Sequence, residues 1–109
     1  MPYTGSNLSV NHYKIARRYT RPEVKAWMEQ LAWQLKGKHW KDWKLPLVIT
    51  CSGVFLNRRS QPDLHNLSKV ICDALEDGTG INDKDMRWHD GDVKFGKTPE
   101  LEIRIQESE

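Results

Sequence analysis

The sequence predicts an α+β fold, one small domain in which a mixed β-sheet packs against two main helices. Apolar residues recur at helical spacing over residues 21–36 and 64–77. A run rich in β-branched residues, 46–56, and an alternating segment, 101–106, have the patterns of strands. The mixed order of strands and helices favours α+β over a doubly wound α/β fold. A length of 109 residues indicates a single domain spanning residues 1–109.

The first helix is predicted over residues 21–36. Thr20 and Glu23 have the spacing of a capping box, and Pro22 suits the first turn of a helix. Gly37 directly after the pattern is typical of a helix end. The apolar positions that recur at helical spacing are Val24, Trp27, Met28, Leu31 and Leu35.

A basic segment with two tryptophans, residues 38–44, follows this helix. Aromatic side chains interleaved with lysines can bind nucleic acid by stacking and by phosphate contact. The same pattern is typical of a loop whose tryptophans, Trp40 and Trp43, cover a core. Both interpretations stay open.

The second half of the chain holds the remaining elements. The helix over residues 64–77 is predicted to end at the glycine-containing segment 78–80. A strand is predicted over residues 86–95, where the pair Asp90-Gly91 is alternatively a hairpin turn. The second helix presents a buried stripe formed by Leu64, Leu67, Val70, Ile71, Ala74 and Leu75.

Composition argues against several classes of protein. No apolar run approaches the roughly 18 residues of a membrane span, and the amino-terminal residues lack the pattern of a signal peptide. The two cysteines, Cys51 and Cys72, form neither a CxxC pair nor a disulfide framework. We therefore expect a cytoplasmic protein with reduced cysteines and no membrane partner.

The charge is distributed unevenly along the chain. Residues 1–44 contain nine Lys and Arg and three acids, a net charge of +6, whereas residues 45–109 carry a net charge of −4. This asymmetry fits a basic surface for a polyanion beside an acidic centre. Ordinary solvated helix faces would produce the same distribution.

Residues that suit phosphate chemistry cluster in and around the second helix. Asn66, Lys69 and Asp73 are three and four residues apart, so one helix face carries them. Asp63 stands at the helix start, and Asp83 follows in the next loop. Two carboxylates separated in sequence can bind one Mg²⁺ ion, and a lysine can neutralise charge that develops on a phosphate.

Each of these residues also has a purely structural interpretation. Asp63 is placed to cap the helix. Lys69 and Asp73 have the i,i+4 spacing of a surface ion pair. Asp83 has the position of a turn residue, and His65 suits an exposed first turn. The spacing alone leaves both interpretations open.

The segment that carries these residues resembles the RusA family of Holliday junction resolvases. That family has the motif D-x-D-N-L-x-K, then three residues and D-A-L, and later an acidic pair. Residues 62–75 read PDLHNLSKVICDAL, and residues 80–83 read GIND. The resemblance is close over residues 62–83 and extends in weaker form over most of the chain, including residues 7–13 and the pair Arg58-Arg59.

The resemblance implies roles for individual residues. Asp63, Lys69 and Asp83 match catalytic positions, and both aspartates match metal ligands. Asn66 and Asp73 match motif positions that we expect to support the site.

Two positions depart from the family pattern. His65 stands where the family has its second aspartate, and Asn82 stands where the later pair has its first acid. A neutral imidazole can ligate a divalent ion, although it suits Mn²⁺ or Zn²⁺ better than Mg²⁺. We therefore count His65 among the metal ligands, with Mg²⁺ as the expected cofactor and Mn²⁺ as the alternative. Asn82 joins the supporting positions, and Asp85 or Asp73 would compensate for the lost negative charge.

The resemblance also implies the reaction and the partners. RusA-like proteins are Mg²⁺-dependent endonucleases of DNA recombination and repair, often of phage or prophage origin. They act as homodimers, because a twofold dimer supplies two active sites for paired symmetric nicks in a four-way DNA junction. Basic residues would bind the DNA backbone, namely Arg17, Arg18, Arg58 and Arg59.

Two other functions compete with this one. A non-catalytic, structure-selective DNA-binding protein of the same fold would explain His65 and Asn82 in place of acids. A small zinc enzyme or zinc-stabilised domain would use His65, Cys72 or His89, although their spacing fits no standard zinc pattern.

Overall fold

The centre of the sheet is a nine-residue strand whose side chains alternate between buried and half-buried positions, Leu47–Phe55. The computed structural model describes residues 1–9, 12–16 and 19–109. The helices are α1 (Pro22–Leu35) and α2 (Ser68–Thr79). The strands are β1 (Lys14–Ala16), β2 (Tyr19–Thr20), β3 (Leu47–Phe55), β4 (Met86–Phe95) and β5 (Glu100–Gln106). Short 3₁₀ turns cover Ser6–Leu8, Trp40–Asp42, Arg58–Ser60, Leu64–Leu67 and Asp83–Asp85.

β3 pairs in parallel with β4 and antiparallel with β5, so the sheet has the order β4-β3-β5. Leu47 lies opposite Met86, and Ile49 lies opposite Ile105. Alternate side chains of β3 enter one core together with apolar residues of both helices. The predicted α+β fold, with a mixed sheet and two main helices in one small domain, is confirmed. The predicted dimer stays a prediction.

β4 contains a β-bulge at the place where the sequence suggested an interruption. The register shifts between Cys51 and Gly53 of the partner strand, where one extra residue of β4 is accommodated. The backbone N–H of Asp92 donates to the hydroxyl of Ser52 at 3.0 Å. A Cβ at Gly91 would collide with that hydroxyl, so this position needs glycine. The alternative prediction of a hairpin turn is wrong, because the strand continues through the bulge.

α1 begins one residue later and ends one residue earlier than predicted. Arg21 is its N-cap residue and no side chain caps it, so the predicted capping box of Thr20 and Glu23 does not form. The chain enters the helix directly from β2, which leaves Thr20 in a strand conformation. Pro22 occupies the first helical turn as expected, and Gly37 has a φ of +90° just after the helix.

The tryptophans between α1 and β3 belong mainly to the core. Trp40 is buried, and its indole N–H donates to the carbonyl of Leu35 at 2.8 Å. The ring of Trp43 lies 4.5 Å from that of Trp40. Of the two interpretations of this segment, the structure therefore favours a covered core for Trp40. None of the helices in the described residues is long and apolar enough to cross a membrane.

Candidate active site

The residues of the site are carried by a helix that begins in two stages. The 3₁₀ turn Leu64–Leu67 runs directly into α2. Leu64 and Leu67 are buried, as are Val70 and Ile71 of the following turn. This apolar anchor leaves Lys69 on the opposite, solvent-facing side of the helix.

The loop after α2 turns back onto the helix. Gly80 ends α2 with a φ of +76°, a conformation that favours glycine. The backbone N–H of Asp83 then donates to Oε1 of Glu76 at 3.3 Å. Asn82 caps the short turn of Asp83, since its side-chain oxygen accepts from the N–H of Lys84 at 3.0 Å. Asn82 therefore fixes the backbone of this turn, and its predicted supporting role in the site stays a prediction.

Three carboxylates meet where the loop contacts the helix. Oxygen atoms of Asp73, Glu76 and Asp83 all lie within 4.8 Å of one another, and the three residues are half-buried. The ammonium of Lys69 donates to Oδ1 of Asp73 at 3.1 Å and lies 3.6 Å from Oδ2 of Asp83. Lys69 therefore bridges two acids that are ten residues apart in sequence. We call Asp73, Glu76 and Asp83 the acidic group.

The acidic group changes the protonation of its neighbours. The hydrogen bond that Lys69 donates to Asp73 raises the pKa of Lys69, burial acts in the opposite direction, and the charges of Asp73 and Asp83 raise it further. Burial raises the pKa of Cys72 to about 11, and the charges of Asp83 and Asp73 add to that effect. The lysine thus stays positively charged, and the thiol stays protonated, throughout the physiological pH range.

Asp63 stands at the other end of the same helical face. It is the N-cap residue of the Leu64–Leu67 turn, yet its side chain makes no capping hydrogen bond there. Its carboxylate is therefore available to bind a ligand. Asp63 is exposed and, with Asn66, lines a hollow that residues of the amino-terminal segment, Ser6 and Ser9, also line. Within the described residues Asp63 is not a member of the acidic group.

His65 contacts a residue that the sequence did not single out for function. Its Nδ1 atom lies 3.6 Å from Oδ2 of Asp90, and Oδ1 of Asp90 accepts the indole N–H of Trp88 at 2.7 Å. The carboxylate is therefore held on one side by the indole and faces the imidazole on the other. The 3.6 Å separation is longer than a hydrogen bond, so this contact alone does not orient the imidazole.

Sequence reasoning also missed Glu76. It lies three residues after Asp73 and seven after Lys69, which is helical spacing. The search for polar residues on one helix face that identified Lys69 and Asp73 could therefore have identified Glu76 as well. Asp90 had no such signal, because its approach to His65 depends on how β4 packs against the Leu64–Leu67 turn.

The other predicted positions lie around this site. Asp85 is half-buried at the end of the turn that begins with Asp83, and it is not in the acidic group. Arg58 and Arg59 are exposed in a 3₁₀ turn. That turn is closed by reciprocal hydrogen bonds between Asn57 and Ser60. The predicted DNA contacts Arg17 and Arg18 lie outside the described residues.

The donor set of the acidic group fits a hard divalent ion. Mg²⁺ prefers carboxylate oxygens, and three are close enough here to share one ion after small side-chain movements. In the part of the chain that the structure describes, no comparable group includes His65, Cys72 or His89. The observed cluster thus offers oxygen ligands and lacks the nitrogen and sulfur ligands typical of structural zinc.

A comparison with protein families decides what kind of protein carries this site. The model of endodeoxyribonuclease RusA matches residues 1–106. The chain belongs to the RusA family. Searches of curated proteins and of solved structures found no match. Membership in the RusA family implies endodeoxyribonuclease activity and the resolution of Holliday junctions. The match also covers the amino-terminal residues 7–13, which lie well outside residues 62–83 and whose resemblance to the family pattern is weaker.

Proposed function

We propose that this RusA-family protein is a divalent-metal-dependent endodeoxyribonuclease that resolves four-way DNA junctions by paired symmetric nicks. The observation that supports this best is the position of Lys69, whose ammonium lies between the carboxylates of Asp73 and Asp83. A cation beside clustered oxygen ligands suits metal-dependent phosphodiester cleavage, because both can stabilise negative charge on the phosphate.

Asp63, Lys69 and Asp83 are the proposed catalytic residues. Asp83, together with Asp73 and Glu76, would hold Mg²⁺ or Mn²⁺, with Asp63 and His65 as further ligands at the amino-terminal end of the helical face. When bound, the ion supplies Lewis-acid stabilisation of the charge on the phosphate.

Lys69 has the clearest role among the side chains. Its pKa is raised, so it is charged when DNA arrives. It is about half exposed, so its ammonium can exchange a carboxylate partner for a phosphate oxygen. That contact becomes stronger as negative charge develops in the transition state.

A homodimer would supply the two nicks. A four-way junction has twofold symmetry, and a closed twofold dimer presents two equivalent sites in matching orientation. Arg58 and Arg59, beside the Asp63 end of the face, would bind the DNA backbone, as would Arg17 and Arg18. The charge asymmetry of the chain supports such a basic approach surface.

The proposal is tested by incubating the protein with a synthetic four-way junction and with a linear duplex, first in Mg²⁺ and then in Mn²⁺. We expect symmetric nicks in the junction alone. Asp63→Asn and Asp83→Asn should lower the nicking rate by roughly 100-fold or more, because each removes a charged oxygen ligand. Asp77→Asn, an exposed acid of α2 outside the acidic group, is the matched control and should nick normally. Full activity in both site variants would refute the assignment.

A second function follows from one specific observation. His65 and Asn82 replace two acids of the family pattern, which leaves the site with less negative charge for an ion. A structure-selective DNA-binding protein without nuclease activity would bind junctions tightly and nick none in either ion. Nicking restored by His65→Asp would support that reading.

A further inference from the structure

The loop between α1 and β3 carries a group of exposed lysines that the proposed site does not use. Residues 36–44 contain four lysines and one acid, a net charge of +3, and all four lysines are exposed. The backbone N–H of Lys44 donates to Oε2 of Glu107 at 3.1 Å, so an acid lies beside that lysine. We call the other three the lysine surface, namely Lys36, Lys38 and Lys41.

The charge of the lysine surface is available to a ligand. Among the residues that the structure describes, no ion pair joins one of these lysines to a carboxylate. The ammonium of Lys36 lies 5.8 Å from the ring centroid of Trp33, and that of Lys38 lies 5.8 Å from the ring centroid of Trp40. A cation–π contact orients an ammonium without supplying an opposite full charge. Both lysines therefore keep a positive charge that can attract an anion.

The tryptophans of the loop anchor it to the core. The buried indole of Trp40 donates to the carbonyl of Leu35 at 2.8 Å. The backbone N–H of Trp43 donates to the carbonyl of Trp40 at 3.1 Å and closes the 3₁₀ turn that carries Lys41. Because the ring of Trp40 is buried, phosphate contact by the lysines suits this segment better than base stacking. An anchored loop also loses less conformational freedom when it binds a ligand.

The loop lies at the Asp83 end of the proposed site. It runs into β3, whose first residue, Leu47, pairs with Met86 directly after the turn that begins with Asp83. The last turn of α1 meets α2 at Gly78. The rise from Lys69 to the end of α2 is about 15 Å by helix geometry. Phosphates of one DNA strand are about 3.4 Å apart along the axis, so about four to five nucleotides cover that rise.

A second basic group lies at the other end of β3. Arg58 and Arg59 follow that strand, and Arg59 lines the same hollow as Asp63. The eight residue steps of β3 span about 26 Å at the usual rise of a strand. About eight base pairs of duplex DNA have the same length. The lysine surface and the two arginines therefore lie on opposite sides of the proposed site, at a spacing that one DNA arm can bridge.

We propose that the lysine surface binds the phosphate backbone of a duplex arm of the junction, about four or more nucleotides from the nick on the Asp83 side. The inference rests on the proposed nuclease function and adds a second DNA contact to that of Arg58 and Arg59. Phosphate contacts fix the register and orientation of a protein on DNA without reading its sequence. Contacts at both ends of β3 would thus set the direction in which the cleaved strand crosses Lys69.

The first test measures the salt dependence of junction binding by fluorescence anisotropy, without divalent ions so that no cleavage occurs. Lys36 is the C-cap residue of α1, where positive charge also stabilises the helix end, so the variants are made at Lys38 and Lys41. Lys38→Gln and Lys41→Gln should each lower the slope of log affinity against log salt by about 0.9. Their thermal unfolding should match that of the parent protein.

Arg104→Gln is the matched control for both lysine variants. It removes one positive charge from an exposed position of β5, where the Arg104 guanidinium lies 3.6 Å from the carboxylate of Glu102. We expect this variant to keep the parent slope. An equal fall of the slope in all three variants would show that net charge acts and the lysine surface does not.

The second test locates the contact along the strand. Junctions carry one neutral methylphosphonate at each of positions three to eight on either side of the nick. For the parent protein we expect a roughly threefold loss of affinity for at least one of these positions, because one phosphate charge is removed. At that position Lys38→Gln or Lys41→Gln should show no further loss, since the ammonium that contacts the phosphate is already absent.

The outcomes separate this inference from the proposed function. A parent protein that nicks junctions, with lysine variants that keep its affinity and its slope, overturns the inference and leaves the nuclease intact. A parent protein that binds junctions without nicking overturns the nuclease alone, because the slopes still test the lysine surface. A parent protein that neither binds nor nicks junctions overturns both.

Discussion

Lys69 is the residue on which the arrangement of the site depends. Its ammonium lies 3.1 Å from one carboxylate of the acidic group and 3.6 Å from another. Its raised pKa means that, as long as the carboxylates are ionised, this contact stabilises the fold below the ordinary lysine value and is lost as the pH rises through the raised value. The contact is therefore intact under all conditions in which the protein would meet DNA.

Glu76 provides a test of the acidic group that does not depend on the family pattern. Glu76→Gln should weaken Mg²⁺ binding by roughly 10- to 100-fold, because a neutral amide is a poorer ligand for a hard ion. Without Mg²⁺ the variant should be as stable as the parent, or more so, because it relieves repulsion among three close carboxylates. Calorimetric titration with Mg²⁺ and thermal unfolding measure the two effects.

The neighbouring acid supplies the control for that substitution. Asp77→Asn removes the same charge one residue away, at an exposed position outside the acidic group. An equal loss of Mg²⁺ binding in both variants would show that net charge matters and the geometry of the group does not.

Helical spacing predicted one contact correctly, the ion pair between Lys69 and Asp73. The contact between Lys69 and Asp73 follows from their i,i+4 positions, and the structure shows it. The approach of Asp83 to Glu76 and of Asp90 to His65 could not be derived in this way. Each joins residues from separate elements, so each depends on how a loop or strand packs after the helix has formed.

The two helices set the position of the acidic group through a contact between small residues. A Cβ at Gly78 would lie 2.8 Å from the backbone oxygen of Ala32 and 3.0 Å from its Cα. The backbones of α1 and α2 therefore approach closely just before the loop that carries Asp83. The position of that loop relative to the core depends on this approach.

Gly78→Ala should destabilise the protein in spite of its higher helix propensity. Overpacking typically costs about 1–3 kcal/mol, and the gain in propensity offsets at most about 1 kcal/mol of it. We expect thermal unfolding roughly 5–10 °C below that of the parent. Asp77→Ala, which gains propensity at an exposed position of the same turn, should unfold at the parent temperature or above it. A Gly78→Ala protein that unfolds above the parent temperature, as helix propensity alone would dictate, would mean that the helices are not in contact there.

Periodicity located most elements, and the errors have local causes. β5 alternates clearly, and the predicted segment lies within the observed strand. The capping box at Thr20 failed because the preceding strand pairs through that residue. The pair Asp90-Gly91 has the sequence of a turn. The parallel partner strand β3 nevertheless continues to pair with β4 on both sides of it, so the pair lies in a bulge and not in a turn.

The net positive charge of the molecule lies in residues 1–44, because the eight basic residues of 45–109, Arg58 and Arg59 among them, are outnumbered by twelve acids. If Arg58 and Arg59 each contact a phosphate, Arg58→Ala and Arg59→Ala should each reduce the salt dependence of junction binding. The slope of log affinity against log salt should fall by about 0.9 per contact. Fluorescence anisotropy over a salt series measures it. Slopes equal to that of the parent would exclude both side chains from the DNA interface.

The half-buried thiol of Cys72 has a practical consequence. Its pKa of about 11 includes contributions from Asp83 and Asp73, so an ion that neutralises these acids should lower it. A fall of half a pKa unit would raise the thiolate fraction about threefold. Alkylation by iodoacetamide at mildly alkaline pH should then accelerate when Mg²⁺ is added, while the fully buried Cys51 stays unmodified. Cys72 would report whether the site holds an ion in the absence of DNA.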